Sequence, residues 1–94
     1  MLSIKLTAAA RQDIQEGAKY YNRQQAGLGR KFETRVKKAF QKIGKMPQAA
    51  SFAFDEVRYK VVEKFPFIIT YVFDEKNVII LRVFNTHLDP DNLQ

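Results

Sequence analysis

The 94 residues fit one domain and carry a formal charge of +6; 46% are hydrophobic and 13% aromatic, enough for a packed core and too much for a disordered chain. No cysteine is present, which excludes disulfides, thiolate metal sites and a cysteine nucleophile and points to a reducing cytoplasm. The start at Met1 turns polar too soon for a signal peptide, and no run approaches the roughly 20 apolar residues that span a bilayer, so no membrane partner is expected.

Leu2 to Thr7 alternates Leu2, Ile4 and Leu6 with Ser3, Lys5 and Thr7, which predicts a strand with one buried face. Thr7 is then placed to cap a helix from Ala8 to Gln24, because its hydroxyl can accept from an orphan backbone N–H. Ala10, Ile14, Gly17, Ala18 and Tyr21 fall on one stripe of that helix. They are mostly small, so a second helix can come close. Gly27 and Gly29 mark a turn, and a second helix follows to Lys45. Its apolar face is Leu28, Phe32, Val36, Ala39, Phe40 and Ile43. Gly44 and Pro47 end it.

Residues 47 to 56 read as a connector anchored by Phe52 and Phe54. Val57 to Phe65 alternates as a strand. Phe65-Pro66 marks the passage to an apolar strand from Phe67 to Phe73, since proline cannot donate to a ladder. Asp74 to Asn77 is a turn, and Val78 to Phe84 is a strand broken only by Arg82. Two apolar strands with a short turn form an antiparallel hairpin. The predicted class is therefore α+β, in the order β-α-α-β-β-β, with a helical hairpin packed on a mainly antiparallel sheet.

The charge excess favours a polyanion or an acidic protein as partner. Three features could carry that role. Helix two is covered by cations, Arg35, Lys38 and Lys42 among them, with Glu33 as its single acid. They form a solvated surface or a contact for an acidic partner or for phosphates. Arg58, Lys60 and Lys64 share one side of their strand by the period of two, and Arg82 is expected on the same side of the sheet. Those cations are read as exposed, as a solvated face or a cationic groove. His87 lies in the tail, as a bystander or as a proton-transfer group near neutral pH. The chain carries no phosphate-binding loop, no metal-ligand spacing and no serine–histidine–acid set, so no metal or cofactor is expected.

The order of these motifs resembles the RelE/ParE superfamily of bacterial type II toxins, and ParE-like members most. The residues concerned are Asp13-Ile14, Tyr20-Tyr21, Gly27-Leu28-Gly29 with Phe32, Pro47, Val57-Arg58-Tyr59, Phe65-Pro66-Phe67 with Ile69 and Tyr71, Val78 to Phe84, and Asp89-Pro90. The resemblance implies a toxin neutralised by a cognate antitoxin. ParE-like toxins act on DNA gyrase; RelE-like relatives are ribosome-dependent mRNA endoribonucleases. A degenerate toxin that only binds its antitoxin is a third reading. On these readings Arg58, Lys60, Arg82 and His87 would meet the target, and Arg35, Lys38 and Lys42 the antitoxin. Under the nuclease reading Arg58, Arg82 and His87 would be catalytic. Many members carry a histidine and one or two arginines before the ending, where this chain reads Asn85-Thr86-His87-Leu88. Loss of cations that would stabilise a phosphorane argues against the nuclease.

Overall fold

A computed structural model describes residues 1–86. The chain runs β1 (Ser3–Leu6), α1 (Ala8–Gln24), α2 (Leu28–Lys45), a 3₁₀ turn (Pro47–Ala49), β2 (Phe52–Phe54), β3 (Val57–Val61), β4 (Phe67–Phe73) and β5 (Asn77–Asn85). Thr7 caps α1 as its position predicts: its Oγ1 accepts from the Ala10 N–H at 3.0 Å and donates to the Leu81 carbonyl at 2.8 Å. One hydroxyl thus starts the helix and ties it to β5.

The five strands form one mixed sheet in the order β1-β5-β4-β3-β2. The last three pairings are antiparallel, in keeping with the mainly antiparallel sheet expected, but β1 lies parallel to β5, with Leu6 opposite Ile80. β2 is a short edge strand within the stretch read as a connector. β3 stops at Val61 rather than Phe65, because Lys64 adopts φ 72°, in the left-handed region that strand geometry excludes.

The helical hairpin covers one face of the sheet. Phe32, fully buried, sits among Tyr21, Phe65 and Phe67, with its ring centroid 4.6 Å from that of Phe67. Val36, Ala39, Ile43, Ile69, Tyr71, Val78, Ile80 and Val83 extend this core. Close helix approach depends on two glycines. A Cβ on Gly17 would lie 2.7 Å from the Phe32 ring, and one on Gly29 would lie 2.5 Å from the Ala18 carbonyl oxygen. Asn22 fastens the turn by accepting from the Gly29 N–H at 2.9 Å.

β1 ends opposite Ile80, so the remainder of β5 would present an open edge. Helix side chains fill the gap. Beyond the Thr7 contact to Leu81, the Asp13 carboxylate accepts from the Val83 N–H at 2.9 Å. In the core, the buried Tyr71 hydroxyl donates to the Pro47 carbonyl at 2.7 Å, which locks the 3₁₀ turn beneath the sheet.

Candidate functional surfaces

Residues opposite each other in a ladder share a face of the sheet. Arg58 is opposite Tyr71 and Lys60 opposite Ile69, whereas Arg82 is opposite Thr70. Tyr71 and Ile69 belong to the core under the helices. The expectation that Arg58, Lys60 and Arg82 share one side of the sheet is therefore corrected. Arg58 and Lys60 lie on the helix-covered side, at its rim, and Arg82 starts from the opposite side. Val61 is 58% exposed on that opposite side.

Both arginines have structural partners. The Arg58 guanidinium donates to the Ala50 carbonyl at 2.6 Å and stacks 3.9 Å above the Phe52 ring. It holds edge strand β2 and the preceding turn against β3. Arg82 reaches round the sheet edge to Asp13 through two contacts, Nε at 2.7 Å and Nη2 at 2.9 Å, and lies 4.8 Å from the Phe84 ring centroid. A lone arginine in an apolar strand thus has its explanation in a carboxylate 69 positions earlier. Neither is the free surface cation read from the sequence. His87 lies outside the described residues.

The cations assigned to helix two do come together. Arg35, Lys38 and Lys42 line a groove of about 380 Å³ between α2 and β3, joined there by Tyr59, Lys60 and Glu63. Glu63 binds Lys42 at 2.7 Å and Arg35 at 3.3 Å. The hydrogen bond and charge of Lys42, then the charges of Arg35 and Lys38, hold the Glu63 carboxyl below its ordinary pKa. A second depression, about 910 Å³, continues from the first along α2. Tyr21, Leu28 and Phe65 line it, and Arg30, Lys31, Arg35, Lys38 and Lys64 add positive charge. Arg35 and Lys38 belong to both, so the positive surface is continuous. Glu63 was missed from sequence, whereas Lys64, read there as a strand cation beside Arg58 and Lys60, lines the second depression. A carboxylate directly after a strand that faces a basic helix was the available signal for Glu63.

Among the described residues no group of three or more His, Asp or Glu side chains could hold a metal ion, and no helix is long and apolar enough to cross a membrane.

Residues 4–90 match the family described as ParE toxin of type II toxin-antitoxin system, parDE. The chain belongs to the ParE toxin family. It is accordingly a ParE-type toxin of a type II toxin–antitoxin system. Among solved structures it is similar to a chain of the "Chromosomal ParDE TA system from P. aeruginosa", with a TM-score of 0.80 and 21% identity, covering 90% of this chain and 96% of that one. At that identity the likeness concerns the fold: two helices on a five-stranded mixed sheet. A sequence search of curated proteins returns no match. In this ParE-family chain, then, the sheet arginines serve the fold, and a continuous positive surface lies along α2.

Proposed function

We propose that this ParE-type toxin acts in the cytoplasm by binding and poisoning DNA gyrase, and that a cognate antitoxin neutralises it. The family match over residues 4–90 carries the reading. The geometry supports it over ribosome-dependent mRNA cleavage. Nuclease chemistry needs proton-transfer groups and cations converging on one phosphate. Arg58 and Arg82 instead start from opposite sides of the sheet and are committed to Ala50 and Asp13.

The antitoxin would dock along the α2 groove and present carboxylates to Arg35, Lys38 and Lys42. Glu63 already occupies that role from within the chain, so the groove suits a carboxylate and an incoming acidic segment would displace one. Lys60, at the groove's edge, remains available to either partner.

The test is purified toxin with gyrase and supercoiled DNA. Accumulation of cleaved gyrase–DNA complexes is the expected result, abolished by co-purified product of the neighbouring small reading frame. Unimpaired gyrase together with cut mRNA on ribosomes would overturn it in favour of the nuclease. Neither activity, with antitoxin binding intact, would identify a degenerate toxin.

A further inference from the structure

We propose that the stripe Lys31, Arg35, Lys38, Lys42 and Lys45 binds the phosphate backbone of double-stranded DNA. At 3.6 residues per turn these five positions fall within an arc of about 80° on α2 and rise about 21 Å from first to last. Four of them are exposed and Arg35 is half-buried. Glu33, the one acid on the helix, lies about 160° away from Lys31. The stripe therefore places one or two cations per turn along a straight line, a spacing of the same order as that of phosphates along one nucleic-acid strand. Its length spans about six base pairs at 3.4 Å each.

Two observations favour a duplex over a single strand. Single-strand binders offer several aromatic platforms on which successive bases stack; among the described residues the stripe adjoins the half-buried Tyr59, while the Tyr21 and Phe65 rings are engaged with each other at 4.8 Å and with Phe32. The stripe also follows the convex surface of a helix, which suits a groove wall rather than a splayed strand. An acidic protein segment would lie deeper, against the apolar walls of the two depressions whose rims the stripe forms. Glu63, bound to Lys42 and Arg35, is the acid beside the stripe among the described residues and reduces its net charge. If the antitoxin docks as proposed above, it and the duplex would compete for Arg35, Lys38 and Lys42; duplex binding itself does not rest on that reading.

The probe is a short fluorescein-labelled duplex of mixed sequence, titrated with the toxin alone, without gyrase, and followed by anisotropy. With four to five phosphates engaged, the slope of log affinity against log salt is about −3.6 to −4.5, a loss of roughly 150- to 500-fold between 50 and 200 mM salt. The triple variant Lys31→Ala/Lys38→Ala/Lys45→Ala is expected to reduce the slope by about 2.7 and to weaken binding alike for every sequence. The corresponding Lys→Arg triple keeps the binding, and Glu63→Gln steepens the slope. Thermal unfolding confirms that each variant is folded. An unchanged slope in the alanine triple overturns the proposal. So does tighter binding to the single strand than to the duplex, or binding of polyglutamate with no binding of duplex. Because gyrase is absent from the assay, these outcomes are independent of the gyrase reading.

Discussion

Removing the Asp13 carboxylate is expected to destabilise the fold more than removing any charge on α2. Asp13 is 12% exposed and accepts three hydrogen bonds: from Arg82 Nε at 2.7 Å, Arg82 Nη2 at 2.9 Å and the Val83 N–H at 2.9 Å. In Asp13→Ala the Val83 amide, in a 2% exposed residue, is left without that acceptor. A buried donor left unsatisfied costs about 1–3 kcal/mol. The Arg82 pair adds less, because the Arg82 side chain is 39% exposed and solvent screens it; about 0.5–1 kcal/mol is a suitable allowance. The sum is about 1.5–4 kcal/mol, which in a domain of this size lowers Tm by roughly 6–32 °C. Arg82→Ala keeps the Asp13–Val83 bond and should cost only about 0.5–1.5 kcal/mol. Asp13→Asn keeps an acceptor for Val83 and should fall between wild type and Asp13→Ala. Urea unfolding of the three variants measures the order. A cost under about 0.5 kcal/mol for Asp13→Ala, or a larger cost for Arg82→Ala than for Asp13→Ala, would refute the view that Asp13 substitutes for a missing strand at the edge of β5.

Gly29→Ala drives a Cβ to 2.5 Å from the Ala18 carbonyl oxygen. The resulting overpacking should outweigh the roughly 1 kcal/mol gain in helix propensity, for a net loss of about 1–2 kcal/mol in chemical denaturation; a stabilised variant would contradict the close helix approach. Tyr71→Phe leaves the Pro47 carbonyl without its donor and should cost about 1–2 kcal/mol by the same measurement. Burial raises the Tyr71 pKa above 10.0, so the folded state holds the phenol neutral. That stability is complete below 10.0 and is lost as pH rises toward the folded value, so Tyr71→Phe should unfold less steeply with alkali; an unaltered profile would count against it. Glu63 has the opposite sign: its pKa is lowered from 4.5, so its contribution is present above 4.5 and fades as pH falls through the folded value. Glu63→Gln should flatten this acid limb, by a small amount that salt abolishes, because the group is fully exposed; persistence of the full limb in the variant would reject the assignment.

Local signals in the sequence were enough for the helices and the central hairpin. Thr7 before three alanines gave the start of α1, the Gly27–Gly29 turn separated the helices, and the β-branched and aromatic run Phe67–Phe73 matched β4 residue for residue. What stayed hidden depends on distant partners. Nothing within Leu2–Thr7 indicates that the strand pairs parallel to Asn77–Ile80, because either direction buries the same alternating face. The three residues of β2 are too few to show a period. For the candidate site, the basic face of α2 was legible because helical spacing is local. Arg82 was misplaced relative to Arg58 because a bulge between Thr70 and Tyr71 shifts the register of β5, and a shift of one residue reverses the face of every residue beyond it.

The distribution of cations follows from where a charge can be held in so small a fold. A charge near the core needs a fixed partner, and both sheet arginines have one: a carbonyl and a ring for Arg58, a carboxylate for Arg82. Guanidinium suits such places because it is planar, weakly hydrated and able to form paired hydrogen bonds. The stripe on α2 is four-fifths lysine, whose compact, hydrated charge and mobile stem suit an exposed surface and a partner that offers many equivalent anions. Residue choice thus separates the two populations. The two sheet arginines join elements of the fold, and the lysines of α2 face outward where macromolecules approach. Substitutions among the first group should therefore change stability before binding, and substitutions among the second should change salt-dependent binding while leaving unfolding nearly unaltered.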